Sequence, residues 1–166
     1  MSVVPARLTL EGADGLALAA DAYGDEGAPV VFLLHGGGQT RHSWGGTAAL
    51  LAARGYRAIT LDQRGHGEST WDAGRRYKQA DFGRDVHALS QRFDKPIAVV
   101  GASLGGNSAL LASGDLGATL SALVLVDIGP KIERTGVERI YEFMRAKPDG
   151  FDSLDEVADL VSAYQP

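Results

Sequence analysis

One serine stands out as a residue that could do covalent chemistry. Ser103 lies in a Gly-x-Ser-x-Gly pattern at 101–105, directly after the wholly apolar residues 97–100 and before a helical segment of small residues. Such an apolar run is typical of a strand that is buried on both faces. A serine at this strand-to-helix turn is held in a strained conformation, and its hydroxyl is exposed at the carboxyl edge of the sheet. The pattern therefore predicts a nucleophile that attacks a carbonyl group.

The surrounding chain must supply the sheet that positions this serine. Residues 7–11 and 16–21 read as two strands of an antiparallel hairpin with a turn at 12–15. Further buried strands are predicted at 30–34, 57–61, 97–100 and 123–126. Helical spacing of apolar residues predicts helices from Trp44 to about Leu51 and over 81–93. Strands that alternate with helices indicate a mostly parallel, doubly wound α/β sheet, with residues 97–100 at its centre.

The last part of the sequence differs from the rest. After Gly129 two amphipathic helices are predicted, one with Ile140 and Met144 on its apolar side, the other opened by a Ser153-x-x-Glu156 capping box. No strand is predicted between them. We therefore divide the chain into a core at 1–128 and, at 129–166, the start of a helical insertion over the carboxyl edge of the sheet.

Composition excludes several classes of function. The 166 residues carry a net charge of −5 and include no cysteine. An acidic chain is a poor partner for nucleic acid or an anionic membrane, and without cysteine neither disulfides nor thiolate catalysis can occur. The first ten residues lack a signal pattern and no apolar run reaches membrane-spanning length, so a cytoplasmic protein is expected. The four histidines have no metal-ligand spacing, and no metal or cofactor is predicted.

Four motifs in register resemble the amino-terminal part of the α/β-hydrolase fold superfamily, including its serine hydrolases and cofactor-free haloperoxidases. They are His-Gly-Gly-Gly at 35–38, Asp-Gln-Arg-Gly-His-Gly-Glu-Ser at 62–69, Gly-Ala-Ser-Leu-Gly at 101–105 and Leu-Val-Asp-Ile-Gly-Pro at 125–130. The resemblance implies an α/β-hydrolase fold with a Ser-acid-His triad, an oxyanion hole and a helical cap after the sixth strand.

The resemblance assigns roles to individual residues. Ser103 matches the nucleophile, while the backbone N–H groups of Leu104 and Gly37 match the oxyanion donors, with Gly38 as the alternative to Gly37. Asp127 is either a structural or cap-hinge residue or the catalytic acid. A serine at position 103 argues against dehalogenases and epoxide hydrolases, because related enzymes of these two kinds carry aspartate there.

The histidine of the triad is not found where the family places it. In this family the chain order is serine, acid, histidine, whereas all four histidines precede Ser103: His35, His42, His66 and His87. His35 is predicted to pin the oxyanion loop, and His66 to tie the loop after the fourth strand. The sequence is therefore expected to be an amino-terminal fragment that is nearly inactive alone. It would expose an apolar sheet edge that binds a carboxyl-terminal companion chain or a second copy.

Three functions remain open from the sequence. The first is a serine hydrolase that acts on a small ester, lactone or related carbonyl substrate through an acyl-enzyme. The second is a cofactor-free haloperoxidase or perhydrolase on the same scaffold, in which peroxide intercepts the acyl-enzyme. The third is a non-catalytic relative that binds a small-molecule ligand.

Overall fold

A computed structural model describes residues 4–129 and 134–164 of the chain. Its contacts divide the chain into two compact units, Met1–Pro130 and Lys131–Pro166. Pro130, the last residue of the fourth motif, lies outside the described residues. That the second unit acts as a cap stays a prediction.

The described residues of the first unit, 4–129, form six strands and three α-helices. The strands are β1 Ala6–Glu11, β2 Ala17–Tyr23, β3 Val30–Leu34, β4 Arg57–Leu61, β5 Ile97–Ala102 and β6 Leu120–Val126. The helices are α1 Gly45–Ala52, α2 Gln79–Ser90 and α3 Leu104–Gly114, with short 3₁₀ turns at Ala13–Gly15 and Arg41–Trp44. The second unit contains α4 Arg134–Arg145 and α5 Leu154–Tyr164. As predicted, α5 begins at a cap in which Ser153 Oγ accepts a hydrogen bond of 3.2 Å from Glu156 N–H.

All six strands form one sheet in the order β1-β2-β4-β3-β5-β6. β1 and β2 form the predicted antiparallel hairpin, and β2 also pairs antiparallel with β4. β4, β3, β5 and β6 are mutually parallel, so their carboxyl ends meet at the same edge. The predicted α/β-hydrolase sheet is therefore confirmed, and the strand before Ser103 has the predicted neighbours β3 and β6.

Helices cover both faces of the sheet. On one face, β-strand residues such as Phe32 and Val99 pack with Val86 of α2 and Ala109 of α3. On the other face, a smaller cluster surrounds Ala48 of α1. Strands β3 and β4 are almost wholly buried because they lie between these two layers. The packing of helices on both faces leaves the carboxyl edge of the parallel strands as the place where the loops after β3, β4 and β5 meet.

Three local predictions need correction. β5 is the fifth of the six strands and not the centre of the sheet. The apolar run of β6 reads as a buried strand, yet Val124 is 50% exposed, because β6 is an edge strand that pairs only with β5 among the described residues; this agrees with the exposed apolar edge that was also expected there. The helix predicted over 81–93 runs instead from Gln79 to Ser90, since the Lys78 N–H bonds to the Asp81 carboxylate at 2.8 Å and starts the helix earlier.

A buried ion pair joins the loop after β4 to α2. The Arg64 guanidinium donates from Nε to Asp85 Oδ2 at 2.6 Å and from Nη2 to Asp85 Oδ1 at 2.7 Å. Asp85 Oδ1 also accepts the Ala13 N–H at 2.9 Å, which ties the β1–β2 connection to the same helix. Burial raises the pKa of Asp85, while the hydrogen bonds from Arg64 oppose that rise. Both charges are thus satisfied only by each other and by neighbouring backbone.

Replacing Asp85 by alanine should strongly destabilise the first unit. Asp85→Ala leaves the buried Arg64 charge uncompensated, and breaking a buried pair in this way costs about 3–5 kcal/mol of unfolding free energy. Urea unfolding followed by circular dichroism measures the change. The matched control is Asp94→Ala, at an exposed position, which should stay within about 0.5 kcal/mol of the wild type. Equal stability of the two variants would contradict the role assigned to the Arg64–Asp85 pair.

Candidate active site

Ser103 occupies a strained turn between β5 and α3. Its backbone has φ 44° and ψ −107°, in the region of positive φ that is costly for residues with a side chain. The Ser103 N–H donates to Val126 O of β6 at 3.1 Å, and the side chain is exposed. The strained backbone predicted for this serine is therefore confirmed.

The glycines on either side allow this turn to form. A Cβ added to Gly101 would lie 2.5 Å from the carbonyl carbon of Gly105, and one added to Gly105 would lie 2.5 Å from the Leu34 carbonyl oxygen. Any larger residue would collide with backbone, so β5, α3 and the end of β3 can approach each other only with glycine at these positions. The close approach holds Ser103 at the carboxyl edge of the sheet.

The glycine loop after β3 reaches the same place. A Cβ on Gly36 would be 3.7 Å from the Ser103 Cβ, so this loop lies directly beside the serine. The Gly36 N–H donates to Gln39 Oε1 at 3.0 Å, and the Gly38 N–H donates to His66 Nε2 at 3.3 Å. The Gly37 N–H has no acceptor among the described residues.

Leu104 offers a second free N–H group. It is the first residue of α3, and the first N–H groups of a helix have no partner within the helix. No other acceptor for the Leu104 N–H occurs among the residues that the structure describes. The two N–H groups that the sequence nominates as oxyanion donors are thus both available; their role in catalysis stays a prediction.

Two histidines, His35 at the start of the glycine loop and His66 beside it, have no free ring nitrogen. His35 is buried, donates from Nδ1 to Gly36 O at 2.7 Å and accepts the Gln63 N–H at Nε2, 3.1 Å away. His66 donates from Nδ1 to Arg64 O at 3.0 Å, and its Nε2 accepts from Gly38. Both rings hold loops together, as the sequence predicts for them, and neither is placed as a general base.

The other two histidines likewise have no hydrogen bond to Ser103 in the described part of the chain. His42 has a side chain that is 67% exposed, with Nδ1 3.9 Å from the Asp21 carboxylate. His87 lies in α2, and its Nδ1 is buried without a hydrogen-bond partner in the described part of the chain. None of the four histidines forms a hydrogen bond with Ser103 Oγ among the residues that the structure describes.

Arg41 forms a buried charge cluster that sequence reasoning missed. Its guanidinium donates to Asp62 at 2.5 Å, to Asp21 at 3.0 Å and to Glu68 at 2.8 Å, and its backbone N–H donates to Asp62 Oδ1 at 2.6 Å. Arg7 also contacts the Glu68 carboxylate. Asp62 and Glu68 belong to the second motif and were visible in the sequence. Their partner Arg41 follows β3 in the chain, and only the fold brings it next to them. The cluster holds the carboxyl end of that loop.

Asp127 follows the edge strand β6 and lies at the same edge of the sheet as Ser103. The parallel register pairs Ala102 with Val126, so Ser103 and Asp127 take the next position after the two neighbouring strands β5 and β6. Asp127 has φ 51°, a second residue with a side chain held at positive φ beside the serine. The structure thus brings Ser103 and Asp127 to adjacent positions, and the catalytic role of Asp127 stays a prediction.

Neither a metal cluster nor a membrane span is found in the described part of the chain. Residues 4–129 and 134–164 contain no group of three or more histidine, aspartate or glutamate side chains that could hold a metal ion. No helix within the same residues has the length and apolar character needed to cross a bilayer.

The buried His35 should make stability depend on pH. Burial lowers the pKa of His35 below its ordinary value of 6.5, so the folded protein binds this proton more weakly than the unfolded chain. The contribution is fully present above about pH 6.5 and is lost as the pH falls toward the lowered pKa. Urea unfolding between pH 7.5 and 5 should show this loss. His42→Asn should keep it and His35→Asn should reduce it; if the slope is unchanged in His35→Asn, another group is responsible.

Several known proteins that resemble this chain are named as hydrolases. The sequence profile of the alpha/beta hydrolase fold matches residues 29–154. Protein phosphatase methylesterase 1 of Bos taurus is 34% identical over 142 residues, which make up 82% of this chain and 37% of that protein. An esterase of Mycobacterium tuberculosis is 31% identical over 145 residues, covering 84% of this chain and 48% of that protein.

A solved structure agrees with these relatives. An alpha/beta hydrolase from Novosphingobium aromaticivorans superposes with a TM-score of 0.72 at 29% identity, covering 83% of this chain and 49% of that chain. This chain thus spans less than half the length of each of the three proteins. The profile covers most of the chain and the sheet has the matching order, so this chain belongs to the α/β-hydrolase fold family.

Proposed function

We propose that this chain carries the nucleophile and the oxyanion hole of a serine esterase. The observation that supports the proposal best is the strained turn at Ser103, which lies beside a glycine loop and is followed by a free helical N–H group. In this mechanism Ser103 Oγ attacks the carbonyl carbon of an ester. The carbonyl oxygen becomes an oxyanion that accepts hydrogen bonds from the Gly37 and Leu104 N–H groups.

The tetrahedral intermediate then collapses to an acyl-enzyme. The bond to the alcohol oxygen breaks, the alcohol leaves with the proton that Ser103 gave up, and an ester of the serine remains. Water attacks that ester in the second half of the reaction, which releases the acid and returns the proton to Ser103. Both halves pass through an oxyanion at the same place, so the same two N–H groups serve twice.

The substrate class proposed is a carboxylic ester or a related carbonyl compound such as a lactone. Relatives at 31–34% identity are named as a methylesterase of protein phosphatase and as an esterase. A methyl ester of a carboxylate is therefore the first substrate to test. A perhydrolase would use the same acyl-enzyme with peroxide in place of water, so hydrogen peroxide belongs in the assay as a competing acceptor.

The acid and the base of the triad are assigned separately. We propose Asp127 as the acid, because the sheet register puts it next to Ser103 on the neighbouring strand. For the base we propose a histidine that is not among the four of this chain. His35 and His66 use both ring nitrogens in holding loops, so neither can take the serine proton without giving up a contact.

Ser103 should react slowly but specifically. Without a base the 166-residue chain should turn over p-nitrophenyl acetate only slowly. Its rate should exceed that of the uncatalysed hydrolysis in water by a factor of about 10³–10⁴ at most. A fluorophosphonate probe, which forms a P–O bond to the serine as fluoride leaves, should still label Ser103 within hours, as mass spectrometry would show. Ser103→Ala should take no label, while Ser113→Ala, at an exposed position in α3, should be labelled like the wild type.

Three outcomes would count against parts of this proposal. Labelling elsewhere than at Ser103 would exclude it as the nucleophile. Rapid turnover lost in Ser103→Ala would show that a base is already present in this chain. Tight binding of an ester without labelling or turnover would favour the non-catalytic relative.

We further propose that the β6 edge pairs with another strand, from a carboxyl-terminal companion chain or from a second copy. β6 is at the end of the sheet, and Val124 and Val126 are 50% and 38% exposed. An apolar edge strand offers free N–H and C=O groups and is prone to pairing.

A cytoplasmic location is also proposed; a sequence without cysteine is compatible with it.

The edge should make the isolated chain self-associate. Sedimentation velocity should show species larger than the monomer, and Val124→Lys should shift the distribution toward the monomer, since an edge lysine disfavours strand pairing. Leu50→Lys is the control, because Leu50 is 60% exposed on α1, away from β6. A monodisperse wild-type monomer with one cooperative melting transition would contradict the proposed edge pairing.

A further inference from the structure

Two loops at the carboxyl edge are joined by a reciprocal pair of histidines. We call residues 35–40 the glycine loop and residues 62–69 the β4 loop. His35 of the glycine loop accepts the Gln63 N–H of the β4 loop at 3.1 Å. His66 of the β4 loop accepts the Gly38 N–H of the glycine loop at 3.3 Å. Each loop therefore supplies one imidazole and one backbone N–H to the other.

The same two rings also contact each other and are fixed in one tautomer. Their centroids are 4.9 Å apart at an interplanar angle of 56°. Each Nε2 accepts a backbone N–H, so in the neutral ring the proton lies on Nδ1. Each Nδ1 in turn lies within hydrogen-bond distance of a carbonyl oxygen, 2.7 Å from Gly36 O for His35 and 3.0 Å from Arg64 O for His66. Both rings thus need the Nδ1–H form to make all four contacts.

Further polar contacts reinforce this connection between the two loops, which we call the joint. Gln63 Nε2 donates to His35 O at 2.7 Å, and Ser108 Oγ of α3 lies 3.0 Å from Gln63 Oε1. All three side chains are buried. The β4 loop is therefore connected both to the glycine loop and to the helix that begins after Ser103.

The hydrogen bonds of the joint and of the glycine loop itself determine which glycine N–H group is free beside Ser103. The Gly36 N–H is taken by Gln39, and the Gly38 N–H is taken by His66. Only the Gly37 N–H of the three has no acceptor among the described residues. An N–H group bound to a histidine nitrogen cannot also donate to an oxyanion at full strength, whereas a free one can.

We propose that His66 is a positioning residue for the oxyanion hole. By holding the Gly38 N–H it selects Gly37 rather than Gly38 as the donor, and with His35 it keeps the glycine loop at a fixed distance from Ser103. This inference rests on the proposed function, since it concerns the donor used in the proposed acyl transfer. It assigns to the second motif a role in catalysis that acts through the glycine loop.

The test compares two substitutions of His66. His66→Leu removes the acceptor and should expose the Gly38 amide to solvent exchange. It should also slow fluorophosphonate labelling of Ser103 by about tenfold or more, because a misplaced oxyanion donor costs up to 10²–10³. His66→Gln keeps an acceptor oxygen near the Nε2 position and should restore both the amide protection and most of the rate. The exposed His42→Leu is the control and should match the wild type.

Two readouts keep the inference separate from the proposed function. Loss of labelling in the wild type itself would overturn the proposed function, and the inference with it. Labelling of the wild type and His66→Leu at equal rates would overturn the inference alone.

Because His66→Leu could fail to fold, nitrogen NMR of the unmodified chain gives an independent check. Nδ1–H tautomers with a protected Gly38 amide support the joint, and an Nε2–H tautomer of His66 would exclude it.

Discussion

The close approach of β5 and α3 around Ser103 is the constraint on which the rest of this structure depends. The turn requires φ 44° at a residue that has a side chain, and it leaves room only for glycine at 101 and 105. Gly105 packs against the backbone of Leu34, so the turn also sets how near β3 can come. Because β3 ends there, its following loop starts beside the serine. One strained residue thus brings the glycine loop and the nucleophile candidate together.

Buried polar groups then hold the loops that the sheet brings together. Both ends of the glycine loop are fixed to the β4 loop: His35 contacts Gln63 near one end, and Arg41 contacts Asp62 at the other. Buried charges and imidazoles are costly unless they are paired, so each of these contacts is satisfied only in one arrangement of the loops. Hydrogen bonds thus hold these loops in place, and the proposed oxyanion hole would require donors that are positioned before the substrate arrives.

Much of this arrangement is visible in the primary structure because the signals are local. Wholly apolar runs predict the parallel strands, and β3, β4 and β5 are found within a residue or two of where they were expected. The glycines around Ser103 predict its strained turn, since a turn of that geometry needs small neighbours. The edge strand β6 shows the limit of such reasoning. Its apolar run reads like that of a covered strand, and its exposure was expected only from its place as the last strand in the order of the motifs, which agrees with the 50% exposure of Val124.

The sequence by itself determined the family, the strand-turn-helix at Ser103 and the place of all four of its histidines before that serine, because each of these is a matter of residue type and order along the chain. The tertiary structure decided which groups face each other. Arg41 meets Asp62, and His66 meets the Gly38 N–H, across separations of 21 and 28 residues. Contacts of this kind depend on how strands that are distant in the chain are ordered in the sheet. The motifs predicted the neighbours of β5 but not which side chains of the loops meet, so the charge cluster and the histidine pair appear only in the folded chain.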